Sequence, residues 1–434
     1  MTADVAPRVA PGVELMGRYD GSGLVEPSYL VRTRDGRVLA VSPLLYFLLA
    51  RIDGRRDAGA LARVLSADTG RQVAVSDVRY LVEQKLTPLG VLAGGAGAQD
   101  PTPHAPGRRL LGLSVRKAVI PGHAVERASA LAAPLFTPGV VVVVLAAFVA
   151  MDAWLMFGPS PGIGLSGVIG RPPLVVLVLA LTLVSGAFHE LGHGAAASYG
   201  GARPGAVGVG VYLVWPAFFS DMTDSYRLSR ASRIRVDLGG VYFNVVFMLL
   251  LLGAYGGTGQ KALLVAIGVQ HVLACKQFLP FLRFDGYYLA CDLTGVPDLF
   301  GRMRPVLRQL ARGRLGGATD LKPGIRALVT TWVLVTAGLM AGTLGLLAFH
   351  LPQALAKGAV FANRQATDVA ALMRTGDVRG LLGLLRLAIL TIPVAGLTLP
   401  FVQLLVSRRP SRALTRPAWW APPIDPGSDR LPRR

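Results

Sequence analysis

The sequence predicts a mainly α-helical, polytopic membrane protein with about six transmembrane helices, plus a small α+β winged-helix-like domain at the amino end. Three observations predict it. Of 434 residues, 52% are hydrophobic and only 16% are charged, and the mean hydropathy is +0.49. Six apolar runs are each about 20 residues long, the length a bilayer requires. The basic residues gather between those runs, so the net charge of +20 reads as the positive-inside pattern and not as a nucleic-acid footprint. The lipid bilayer is the expected surroundings, and no nucleic-acid partner is expected.

Residues 1–97 read as the small domain. Tyr29 to Thr33 and Arg37 to Val41 look like strands joined by an Asp35-Gly36 hairpin turn. Ser42-Pro43 supply an N-cap and a first-turn proline for a helix that buries Leu44, Leu45, Phe47, Leu48 and Ile52. Asp53-Gly54 ends it. A second helix carries Leu61, Val64 and Leu65, and a third, capped by Ser76, carries Val78, Leu81, Val82 and Leu86. The hairpin, the Ser-Pro-Leu-Leu helix start, the Asp-Gly-Arg-Arg turn and the closing Val78-Arg79-Tyr80-Leu81-Val82 helix resemble the recognition element of enzymes that mature ribosomally made peptides. The resemblance implies that a leader peptide adds as a strand to the hairpin edge, bordered by Val31 and Val38 to Val41. A winged helix that only packs on the membrane domain, or binds DNA, is the alternative.

Residues 98–130 read as a Pro-, Gly- and Ala-rich linker with Arg108, Arg109, Arg116, Lys117 and Arg127. Residues 131–410 hold the apolar runs, at 134–157, 172–196, 238–256, 262–282, 326–350 and 383–407. Residues 411–434 form a basic tail. Basic and poor loops alternate as six spans with both ends inside require. A multi-pass protein of the cytoplasmic membrane, both termini cytoplasmic, is expected, and no signal peptide opens the chain. The exception is 351–382, whose Lys357, Arg364, Arg374 and Arg379 fall on the outside; an amphipathic surface helix would account for them. Cys275 and Cys291 form no metal motif and read as packing residues.

The second run ends in Ala187-Phe188-His189-Glu190-Leu191-Gly192-His193. On a helix, residues four apart share a face, so His189 and His193 can offer ring nitrogens to one ion. Zinc is the expected ion, since it takes imidazole and carboxylate ligands. Glu190 is not needed as a ligand and is placed to act as general base. Two His and a Glu are costly in membrane-like sequence unless each has a partner or a task.

Such a site needs a third protein ligand. Asp285 is the best candidate by depth: His189 lies roughly 26 Å into its run and Asp285 roughly 35 Å into its own, both near the cytoplasmic boundary. A break at Pro280 would absorb the difference. Taken alone, Asp285 reads as a solvated turn carboxylate. His271 is the rival, at a poorer depth. Residues 205–215 alternate, with Val207, Val209 and Val211 on one face and Gly208 and Gly210 on the other. This glycine-rich strand is expected to pair with an extended substrate, the alternative being an ordinary membrane-dipping hairpin. Asp221, Asp224 and Asp237 read as polar-network or gating residues.

His189-Glu190-x-x-His193 followed by Pro280-x-x-x-x-Asp285-Gly286 resembles the site-2 protease family of intramembrane zinc metalloproteases. Tyr212-Leu213-x-Trp215-Pro216, Asp221-x-x-Asp224-x-Tyr226-Arg227 and Val236-Asp237-Leu238-Gly239-Gly240-Val241-Tyr242-Phe243-Asn244 are similar to a bacterial subgroup of peptide zinc metalloproteases. The resemblance implies that His189, His193 and Asp285 bind Zn2+ and that Glu190 is the general base. Three positions depart from the family pattern. Gln277 and Leu279 stand where Asn is common, and Gly240-x-x-x-Asn244 lacks the family's Pro. Asn244 remains and is expected to orient the substrate or oxyanion. The expected activity is peptide-bond hydrolysis in the maturation of a ribosomal peptide precursor. Regulated cleavage of a membrane-bound signalling protein is the enzymatic alternative, and non-catalytic peptide binding or export with structural zinc is the other.

Overall fold

The computed structural model describes residues 6–34, 38–93, 113–158, 167–168, 171–212, 215–313 and 320–375. It is mainly helical and divides into two compact units. Among the described residues, the first holds 6–19 and 26–93, and the second holds 20–25 and everything from 113 onward.

The first unit opens on an antiparallel sheet of β1 (Glu14–Arg18), β2 (Tyr29–Arg32) and β3 (Val38–Val41), in that spatial order. Tyr29 faces Val41 and Arg32 faces Val38 across β2 and β3. The Asp35-Gly36 turn lies outside the described residues. Sequence pattern does not announce β1, whose short ELMGR run carries a bulge between Leu15 and Gly17. Helix α1 (Pro43–Arg51) starts as expected, Ser42 accepting from the Leu45 N–H at 3.4 Å. Asp57 caps α2 (Ala58–Thr69), which ends on left-handed Gly70. Helix α3 (Val75–Tyr80) departs from expectation: Ser76 lies inside it, and the Asp77 carboxylate accepts from the Ala74 N–H at 3.0 Å. Val31, Leu48, Leu61, Leu65, Val78 and Leu86 form the core. Val31 is 0% exposed, so it packs inside and does not border a peptide groove.

In the second unit, four helices among the described residues are long and apolar enough to cross a membrane. They are α5 (Pro138–Phe157), α6 (Pro172–Gly200), α7 (Arg230–Thr258) and the first half of α11 (Pro323–Thr375). The expected fourth run is divided: α8 (Ala262–Gln277) stops after 16 residues, and the chain turns through Pro280 before α9 (Asp285–Thr294). The sixth run, 383–407, and the 411–434 tail lie outside the described residues. Helix α11 continues unbroken through 351–375, the stretch expected to lie on the surface. Its 53 residues span about 80 Å at 1.5 Å per residue, far more than a bilayer's apolar thickness. The stretch read as a linker holds β4 (Leu113–Ile120) and α4 (Gly122–Ala132). Helix α10 (Leu299–Ala311) packs with α9 and α11 around Tyr287, Leu299, Val306 and Val333.

Helix α7 is the central one, with 50% of its most apolar stretch buried against 6% for α5. It meets α6 at a glycine crossing. A Cβ on Gly192 would collide with the Gly239 carbonyl and Phe243, and one on Gly239 would lie 2.6 Å from the Gly192 carbonyl and 3.0 Å from the Ala196 Cβ. Small residues permit this approach in apolar surroundings, where close packing rather than water expulsion holds helices together. Gly239→Val should therefore lower stability by about 1–3 kcal/mol, measured by unfolding in detergent, whereas Gly253→Val, on the same helix with open space around it, should not.

Candidate metal centre

Helix α6 presents His189 and His193 on one face, 6% and 8% exposed, with their Nε2 atoms 3.1 Å apart. The turn through Pro280 delivers Asp285 as the first residue of α9. Its Oδ2 lies 3.0 Å from His189 Nε2 and its Oδ1 3.5 Å from His193 Nε2. Gly286 makes that turn possible, because a Cβ there would press on the Phe278 backbone at 2.7 Å. Between the two candidates for a third partner, the structure brings Asp285 to the histidines. His271 instead faces Asp152, 3.0 Å away, and donates through Nδ1 to the Ile267 carbonyl at 2.9 Å.

The donor set suits a cation. His193 Nδ1 sits 2.7 Å from the Val236 carbonyl. A carbonyl only accepts, so Nδ1 carries a hydrogen and Nε2 is the ring nitrogen that faces Asp285. Asp285 Oδ2 has no aligned donor despite its short distance to His189. Ligand atoms of all three residues lie within 4.8 Å of one another. Burial by itself pushes the Asp285 carboxyl up, but His193 and then His189 outweigh it and hold it below the usual carboxylate range. An ionised carboxylate beside two imidazole nitrogens is a zinc-type donor set. Gly240 forms the wall beside the rings, with His189 and His193 ring atoms 2.5 Å from where its Cβ would stand.

Glu190, next on α6, accepts a hydrogen bond from the Ser220 hydroxyl at 2.6 Å. Ser220 ends β6 (Trp215–Ser220), one of the two outer strands of a sheet ordered β4, β5 (Val207–Tyr212), β6. Sequence reasoning missed Ser220 and the Val236 carbonyl. Neither carries a local signal, since their relevance arises from residues 30 and 43 positions away.

The expectation that Val207, Val209 and Val211 pair with substrate is corrected by this sheet. Strand β5 is its middle strand, hydrogen-bonded to β4 on one side and β6 on the other, so no substrate strand can add there. The backbone that approaches Gly208 is the chain's own: a Cβ would collide with the Lys117 carbonyl, and would lie 2.7 Å from the Phe219 ring. Val207 is buried while Val209 is 39% exposed. Asn244, 4% exposed, lies 3.5 Å from the Ser185 hydroxyl, which donates to Gln270 at 2.6 Å. Asp224 pairs with Arg227 at 2.9 Å and accepts from the Arg203 N–H at 2.9 Å, which is loop architecture. Asp221 accepts from the Thr223 N–H at 3.0 Å.

One curated protein is similar to part of the chain. A Bacillus subtilis protein called "Putative peptide zinc metalloprotease protein YydH" is 28% identical over 127 residues, 29% of this chain. The chain spans half the length of that relative. No family model matches, and no solved structure matches.

Purified wild type should carry about one zinc per chain. His189→Ala, His193→Ala and Asp285→Ala should each lose it, while Glu190→Gln should keep it, by elemental analysis. Because the imidazoles must be neutral to bind, zinc content should fall as pH drops below the histidine range.

Proposed function

We propose that this chain is an intramembrane zinc metalloprotease that hydrolyses peptide bonds, acting in the maturation of a ribosomally made peptide precursor. The observation that carries the proposal is the convergence of His189, His193 and Asp285 with Glu190 held beside them by Ser220. A purely structural metal site has no use for that carboxylate.

Zinc bound by these three side chains supplies a Lewis acid for the scissile carbonyl and makes water a stronger acid. Glu190 takes the proton from the attacking water as its oxygen bonds to the carbonyl carbon. It then returns that proton to the amine nitrogen as the C–N bond breaks. The Ser220 hydroxyl fixes Oε2 and leaves Oε1 for the transfer. The Val236 carbonyl holds the His193 ring in the tautomer that leaves Nε2 unprotonated.

A protease must cut an extended backbone, and an open sheet edge holds one. With β5 saturated, the outer edge of β6 takes that role. It has one strand partner among the described residues, it ends at Ser220, and it contains Pro216, a residue confined to edges because it lacks an N–H. In the first unit, β1 and β3 are the outer strands, and β3 offers the edge for a leader peptide.

Glu190→Gln should abolish processing of a precursor, by at least about 100-fold, with zinc retained. Unchanged processing would exclude hydrolysis at this site. Removing the leader from the precursor should raise KM and leave kcat within about twofold, measured on matched peptides.

A further inference from the structure

Arg233 lies one helical turn before Val236 on α7 and is 1% exposed. Its guanidinium joins three segments. Nε donates to Asp292 Oδ1 at 2.8 Å, Nη1 to the Leu228 carbonyl at 2.9 Å and Nη2 to the Asp20 carbonyl at 2.9 Å. Asp292 sits two turns along α9 from Asp285. A buried arginine is tolerable only when its donors are matched in this way, and a lysine ammonium cannot reproduce the planar fork.

The Asp20 end is unexpected from chain order. Residues 20–25 connect β1 to β2, yet they belong to the second unit. Asp20 accepts from the Arg230 N–H at 3.0 Å. Gly23 donates to the Gly295 carbonyl and accepts from the Lys322 N–H, each at 3.0 Å, and Val25 donates to the Asp320 carbonyl at 2.9 Å. The strap has no slack. A Cβ on Gly23 would collide with the Thr294 carbonyl and lie 2.8 Å from Ile325. Gly295, left-handed at φ 66°, closes α9 against the Gly21 carbonyl and lies against the Gly23 nitrogen.

We propose that Arg233 is the positioning residue for Asp285: with the 20–25 strap it clamps α9 to α7 and so sets where the third ligand meets the two histidines. This rests on the metal reading above. It makes metal retention depend on six residues contributed from within the amino-terminal stretch.

The test uses full-length protein in detergent and the variants Arg233→Lys and Gly23→Ala, with Leu263→Ala as a core-weakening control away from the clamp. Two quantities are measured: zinc release to a chromophoric chelator, and amide hydrogen exchange of residues 285–295 in metal-free protein. Arg233→Lys should lose zinc about 10- to 100-fold faster, with faster exchange in α9 and unchanged exchange in α6. Gly23→Ala should shift both in the same direction although Arg233 is intact. Leu263→Ala should lower thermal stability without speeding zinc release. Release and α9 exchange within twofold of wild type in either folded clamp variant would overturn the proposal. So would an equal effect from Leu263→Ala. A zinc-free wild type would refute the metal reading separately, while α9 exchange in the clamp variants would still decide the positioning role.

Discussion

The structure depends on how closely α6 and α7 approach at Gly192 and Gly239. Neither residue tolerates a Cβ, because each faces the other's backbone. The site follows from that contact. With the helices this close, the Val236 carbonyl reaches His193 at 2.7 Å, and Gly240 lies flat against both imidazoles. A wider spacing would leave the His193 ring without its acceptor and the ligand face open. Lipid offers no hydrophobic drive for helices to associate, so interlocking surface and a few polar contacts must do it.

Those polar contacts are costly unless matched, and in this chain they pair across helices. Ser185, Asn244 and Gln270 link α6, α7 and α8. His271 on α8 meets Asp152 on α5, with Phe148 stacked on the imidazole. Arg233 ties α7 to α9 through Asp292. Each pairing joins residues at least 59 positions apart, so the polar groups help specify which helix faces meet. The His–His–Asp group brings three ligand atoms together without the aligned hydrogen bonds that would satisfy all of them.

The sheet beside the site illustrates how pattern misleads. Alternation through Val207, Val209 and Val211 marks a strand correctly, and its glycines mark a close backbone approach correctly. Pattern does not say whose backbone approaches. The partner is β4, drawn from a Pro- and Gly-rich stretch that reads as linker, because among the described residues β4 pairs only with a strand about 90 residues later in the chain. The same limit hides Ser220, whose neighbours in sequence announce nothing.

The sequence by itself determined the features that depend on near neighbours. These are the helical spacing of His189 and His193, the Glu190 between them, the Ser42 cap of α1, the membrane-length helices α5 to α7, and the turn that offers Asp285. Depth along two helices was enough to favour Asp285 over His271. Tertiary structure alone decided which of them reaches the histidines, which carbonyl meets the His193 ring, that β5 is the middle strand of its sheet, and that residues 20–25 belong to the second unit. The physical reason is range. Helix periodicity and capping are interactions within about four residues, whereas the contacts that aim these side chains join segments 30 to 213 positions apart, and only packing selects among such pairs.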